Sequence, residues 1–163
     1  MTLEDLFSLK GRVALVTGGS RGIGKGIAVQ LATAGAELAV TGLTTVNAEA
    51  TAAEIVAAGG RAAAYAVDAT SESSMAVFAE RILAELGPLD IVVNCLGDDV
   101  PGYVTRRPGR EEPVASAESW HLAIDLNLTE AFLGCHHFGQ HMLGLAGWDD
   151  LPPELRPLKP SNP

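Results

Sequence analysis

The chain is 163 residues long, with 47% apolar and 19% charged residues, which is enough for one domain with a real core and too apolar for wholesale disorder. Asp and Glu number 20 against 11 Lys and Arg, so the net charge of −9 excludes the basic surface that nucleic-acid phosphates require. Aromatic residues make up only 5%, too few for a base-stacking face, and the 2 cysteines, Cys95 and Cys135, cannot build a disulfide framework.

The N-terminal segment Met1 to Phe7 is acidic and has no long apolar run, unlike a signal peptide. No stretch reaches the ~20 apolar residues that span a bilayer. A soluble, cytoplasmic protein is expected, with neither membrane nor nucleic acid as partner.

Arg12 to Thr17 is a short, nearly continuous apolar run. A glycine turn follows, and then a helical pattern with Ile23, Ile27, Leu31 and Ala34 on one face, stopped by Gly35. Glu37 to Thr41 reads as a second strand. Asn47 is the expected N-cap of a helix that runs to Ala58 and ends at Gly59-Gly60. Ala62 to Val67 is a third strand with Asp68 at its end. Thr70 or Ser71 caps the next helix, which places Met75, Phe78, Ile82 and Leu86 together. Gly87-Pro88 stops it, and Leu89 to Asn94 is a fourth strand.

A long polar loop occupies 97–115. One long helix over 117–143 carries an apolar stripe of Trp120, Ile124, Ala131, Cys135, Phe138 and Met142. Beyond it, 144–163 is an irregular, Pro-rich tail. Strands alternating with helices at this spacing predict βαβ units. The fold class is α/β, a Rossmann-like doubly wound parallel sheet truncated after the fourth strand and the long helix.

Gly18, Gly22 and Gly24 lie between the first strand and its helix. A turn without side chains lets the backbone approach a pyrophosphate, and the helix N-terminus offers free N–H groups and partial positive charge. The alternative is a tight strand-to-helix connection that binds nothing, and the strand–turn–helix context favours the first. Residues 1–143 are therefore read as a dinucleotide-binding domain. In such domains an acid near the end of the second strand binds the ribose 2′-hydroxyl of NAD. Here Thr41-Gly-Leu-Thr-Thr45 has none, while Arg21 and Lys25 bring positive charge to the turn. NADP is the expected cofactor in preference to NAD, although Arg21 as a solvated loop residue is the competing reading.

Thr17-Gly-Gly-Ser-Arg-Gly-Ile-Gly24, Val67-Asp68, Asn94-Cys-Leu-Gly97, and Trp120 followed by Asp125-Leu-Asn127-Leu128 resemble, in order and spacing, the short-chain dehydrogenase/reductase family. The resemblance covers about Leu9 to Met142. It implies that Gly18, Ser20, Arg21, Gly22, Ile23 and Gly24 hold the pyrophosphate and adenosine ribose. It also implies that Asp68 binds adenine, that Asn94 and Gly97 line the cofactor cleft, and that Asn127 is the catalytic residue that holds a proton-relay water. Cys95 and Leu96 stand where the family pattern has Asn and Ala. Asn127 falls beside the apolar stripe, where a buried amide needs bonding partners.

The resemblance also implies a catalytic Ser, Tyr and Lys on a fifth strand and helix, and these are not found among the 163 residues. Tyr65 is in the third strand. Tyr103 to Arg107 mimics the Tyr–basic spacing in a Pro/Gly-rich loop, where residues four apart share no face. The expectation is an NADP(H)-dependent oxidoreductase by resemblance, weak or inactive alone, whose fourth strand is left as an apolar edge.

Two further readings stand beside it. One is a non-catalytic nucleotide-binding module that pairs with a copy of itself or a full-length relative through helix 117–143. The other is a remnant of a broken gene. His137 and His141 have the spacing of two metal ligands without a third, and no metal site is read. Cys95 and Cys135 are read as small core residues.

Overall fold

A computed structural model describes residues 6–105, 108–109 and 113–143. The expected irregular tail at 144–163 lies outside the described residues.

The strands are β1 (Val13–Val16), β2 (Glu37–Gly42), β3 (Arg61–Ala66) and β4 (Ile91–Val93). They form one parallel sheet in the order β3-β2-β1-β4. Helices α1 (Gly22–Thr33), α2 (Thr45–Ala57) and α3 (Glu72–Leu86) connect them. Because the strand order reverses between β1 and β4, the C-terminal ends of these two strands diverge, and a crevice opens at that point.

Alternation along β1 shows how the sheet is covered. Ala14 and Val16 face a cluster with Ala28 of α1 and Ile55 of α2. Leu15 faces the opposite cluster, with Met75, Phe78 and Ile82 of α3. Both faces are dry, which is why the strands read as nearly unbroken apolar runs. In the second cluster the Phe78 ring lies 5.3 Å from Tyr65 and 5.9 Å from Phe138. The entry to β1 is tied to β4 by Asp90, which accepts from Arg12 at 2.6 Å and from the Val13 N–H at 2.9 Å.

Element boundaries differ from expectation at α2, whose N-cap is Thr44 rather than Asn47. At α3 the structure selects Ser71 as the cap, its hydroxyl accepting the Ser74 N–H. The inward face of α1 also differs. Gly24 and Ala28 are its buried residues, and Ile23 is 79% exposed. The first turn of α1 approaches the strand ends too closely for a branched side chain to lie beneath it.

The expected single helix over 117–143 is three segments: α4 (Ala117–Ile124), a π-helical turn (Asp125–Thr129) and α5 (Glu130–Met142). A π turn inserts a residue into the helical register, and each residue rotates the helix face by about 100°. The apolar stripe therefore does not run straight. Phe138 is buried, but Trp120 is 60% exposed, and Cys135 and Met142 are exposed as well. The buried face of α5 is Glu130, Leu133, Gly134 and Phe138. Among the described residues no helix is long and apolar enough to cross a membrane.

Candidate functional site: a glycine-lined cleft at the strand ends

A cleft of about 820 Å³ lies over the C-terminal ends of the strands. Its floor is the turn from β1 into α1. Gly18 has φ +61°, and a Cβ there would meet Cys95 O at 2.9 Å. Gly24, in the first turn of α1, packs against the glycine turn, where a Cβ would lie 2.4 Å from Gly18 O. The two glycines let three backbone segments converge where side chains would hold them apart. The first turn of α1 contains no acidic residue, and no side chain caps its N-terminus. Its free N–H groups and its positive dipole end are available to an anion in the cleft.

The side walls come from the other strand ends. Asp68 and Thr70 follow β3. The Asp68 Oδ1 accepts from both the Thr70 N–H, at 3.0 Å, and the Thr70 hydroxyl, at 2.6 Å. This local turn fixes the carboxylate at the rim. The end of β2 and the start of α2, including Thr41, Leu43 and Asn47, line the wall beside it, with no carboxylate among the lining residues there. Cys95, Leu96, Gly97 and Asp98 form the opposite lip after β4.

Of the residues singled out from sequence, Gly18, Ser20, Arg21, Gly22, Ile23, Gly24, Asp68 and Gly97 converge on this one cleft. Asn94 does not line it. Its Nδ2 donates to Ala131 O of α5 at 3.3 Å and lies 3.5 Å from Cys135 Sγ. Asn127 is exposed, not a buried amide, and sits in the π turn. Its Nδ2 donates to Asp98 O at 3.0 Å and to Ala123 O at 2.9 Å. Asn127 thus ties the lip of the cleft to α4.

The positive charges at the turn are both engaged. Arg21 pairs with Asp98 at 3.1 Å, from one lip of the cleft to the other. Lys25 pairs with Glu54 at 2.6 Å. Neither tyrosine lines the cleft. The Tyr65 hydroxyl donates to Glu85 at 2.9 Å, and burial together with that carboxylate pushes its pKa up to about 12. Such a phenol stays protonated at neutral pH, with its proton committed to Glu85. Tyr103 forms an isolated bridge with Val114, and its would-be partner Arg107 lies outside the described residues.

Sequence reasoning placed Thr41 to Thr45 beside the ribose for its lack of an acid but assigned no lining role to Leu43 or Asn47. It also missed Thr17 and Glu130, which are buried together under the turn.

The model of the short chain dehydrogenase family matches residues 12–147. The chain belongs to this family. It is 38% identical over 147 residues to D-threitol dehydrogenase of Mycolicibacterium smegmatis, covering 90% of this chain and 54% of that enzyme. Among solved structures, a metagenomic short-chain oxidoreductase in complex with NADP aligns with a TM-score of 0.72 and 35% identity, over 83% of this chain and 58% of that one. A 7α-hydroxysteroid dehydrogenase complexed with NADH and 7-oxo glycochenodeoxycholic acid aligns with a TM-score of 0.77 and 31% identity, over 87% and 52%. The chain spans about half the length of the curated relatives it matches.

Proposed function

We propose that the cleft binds a nicotinamide dinucleotide and that the chain is the cofactor-binding part of a short-chain oxidoreductase. The observation that carries this reading is the convergence of the Gly18–Gly24 backbone, an uncapped helix N-terminus and Asp68 on one cleft. The residues fit the group, because a cradle that a Cβ would fill suits a pyrophosphate. Gly18, Ser20, Gly22, Ile23 and Gly24 hold the phosphates and ribose, Asp68 takes the adenine, and Gly97 lies along the opposite wall. Asn94 acts from below by setting where α5 meets the end of β4. Asn127 fixes the Asp98 backbone and, by the family resemblance, holds a relay water. When bound, the dinucleotide supplies the hydride that is exchanged with a carbonyl or alcohol.

We infer NADP rather than NAD as the preferred cofactor. The wall after β2 offers no carboxylate to a ribose 2′-hydroxyl, and Arg21 stands at the lip. A 2′-phosphate would have to draw Arg21 from Asp98, an exposed pair worth at most about 1 kcal/mol. Neither tyrosine serves the cleft as a general acid, so these 163 residues by themselves bind the cofactor with little or no turnover.

Titration with NADPH, followed by nucleotide fluorescence, is expected to saturate with tighter binding than NADH. Arg21→Ala should reduce the preference by roughly fivefold while leaving NADH unchanged. Absence of saturation with both nucleotides would overturn the reading.

A second reading is favoured by the surface of α4 and α5. Trp120, Leu122, Leu128 and Phe132 are each at least half exposed. Such a patch suits pairing with a second copy or with a full-length relative of the same family. Light scattering of the purified chain, alone and mixed with such a relative, is expected to give a mass above that of the monomer. A Phe132→Ser variant should lower it. A monomer in both samples would remove this reading.

A further inference from the structure

Beneath the cleft lies a carboxyl group that dinucleotide binding does not use. Glu130, the first residue of α5, is 1% exposed. No cation pairs with it among the described residues. Its one polar side-chain partner among the described residues is the Thr17 hydroxyl. Thr17 is as buried as Glu130 and directly precedes Gly18. Its Oγ1 accepts the Cys95 N–H at 3.0 Å and lies 3.4 Å from Val93 O, while its own N–H donates to Val93 O at 3.0 Å. One hydroxyl therefore joins α5, the start of the glycine turn and the loop after β4.

We propose that Glu130 is a positioning residue for the cleft: through Thr17 it pins the glycine turn and the Cys95–Asp98 lip at a fixed separation. The link to cofactor affinity rests on the dinucleotide reading above, whereas the pinning itself does not.

The charge state follows from counting protons. A hydroxyl has one proton to give and two lone pairs to offer. With Glu130 neutral, its O–H donates to Thr17 Oγ1. The Cys95 N–H takes the other lone pair, and the Thr17 proton is free to point at Val93 O. The Thr17 hydroxyl is then fully bonded. With Glu130 ionised, a buried charge has no counter-ion, and Thr17 must spend its single proton on the carboxylate. Burial pushes the Glu130 carboxyl up from its ordinary range, and the Thr17 bond offsets this only in part. β1 and β4 present no ionisable side chain to it. The charged groups of α3 (Glu72, Glu80, Arg81 and Glu85), Asp125 of the π turn and the histidines of α5 make no ion pair or hydrogen bond with it among the described residues. The pinning is strongest while the acid is neutral and weakens as pH rises through its raised value, because the Thr17 proton then leaves Val93 O and the buried charge has no counter-ion.

The test compares the full chain with Glu130→Gln, Glu130→Ala and Thr17→Val from mildly acidic to alkaline pH. Two quantities are measured: NADPH affinity, and the hydrogen-exchange protection factor of the Cys95 amide by NMR. An amide side chain can donate to Thr17 but cannot ionise. Glu130→Gln should therefore keep both quantities and abolish the alkaline decline of the parent chain. Glu130→Ala and Thr17→Val should lower both by about fivefold to tenfold at neutral pH. Unchanged Cys95 protection in Glu130→Ala, or a loss in Glu130→Gln equal to that in Glu130→Ala at every pH, would overturn the proposal. If the parent chain binds neither nucleotide, the dinucleotide reading fails and Cys95 protection alone decides the pinning. If Glu130→Ala does not fold, the pH profiles of the parent and of Glu130→Gln decide it.

Discussion

Gly24→Ala is expected to weaken dinucleotide binding by about tenfold or more and to destabilise the chain by about 1–3 kcal/mol. The new Cβ would lie 2.4 Å from Gly18 O and 2.9 Å from Gly18 C, where real Cβ atoms stay beyond 3.0 Å. Both atoms are backbone, so no side chain can rotate away. Either the first turn of α1 lifts or the glycine turn is pushed toward the opposite lip. It has little room there, because a Cβ on Gly18 would itself meet Cys95 O at 2.9 Å. Gly26→Ala supplies the control on the same helix. Nothing lies within 4 Å of its Cβ position. That variant should gain about 0.5–1 kcal/mol from helix propensity and bind as the parent does. Nucleotide titration and urea unfolding of the two variants separate the outcomes. Normal binding by Gly24→Ala would mean that the cradle does not contact the ligand.

The alternation of strands and helices was legible because apolar runs are separated by glycine stops, with a capping hydroxyl as well at α3, between Ser71 and Gly87. The cleft was legible because its lining follows directly on the strand ends. Three features were not, each for a physical reason. Periodicity counts apolar residues but not how closely a helix approaches its sheet, so it placed Ile23 inside where Gly24 and Ala28 pack. No residue type announces a π turn, and the turn at Asp125–Thr129 rotates the face of α5 relative to α4, leaving Cys135 and Met142 outside. Glu130 reads as a solvated helix charge until the fold brings Thr17, 113 residues away in sequence, against it. The pairing of Lys25 with Glu54 and of Arg21 with Asp98 is likewise tertiary, and it changes what the charge at the turn has to offer a ligand.

Gly134→Ala should destabilise the chain by about 1–3 kcal/mol, against the sign of helix propensity, which favours Ala over Gly by about 1 kcal/mol. The reason lies in Asn94. A Cβ at Gly134 would fall 2.1 Å from Asn94 Oδ1, 2.9 Å from its Cγ and 3.1 Å from its Nδ2. The amide cannot simply swing aside, because Nδ2 donates to Ala131 O one turn earlier on the same helix. Oδ1 is buried and accepts no hydrogen bond among the described residues, so the amide is held by a single donor and by packing against bare backbone. The absence of a side chain at Gly134 is what lets α5 lie against the end of β4, and that contact sets where Cys95, Leu96 and Gly97 emerge into the cleft. A double-mutant cycle isolates the contact. Asn94→Ala removes the amide that the new Cβ would strike, so the Gly134→Ala change should cost far less in its presence. The coupling should be about 1–3 kcal/mol by urea unfolding. Additive effects would mean that α5 moves away from the sheet in Gly134→Ala for a reason other than Asn94. If the coupling holds, Gly134→Ala should also weaken NADPH binding. Gly134 does not line the cleft, and the displacement of α5 would reach the lip through Asn94 and the end of β4.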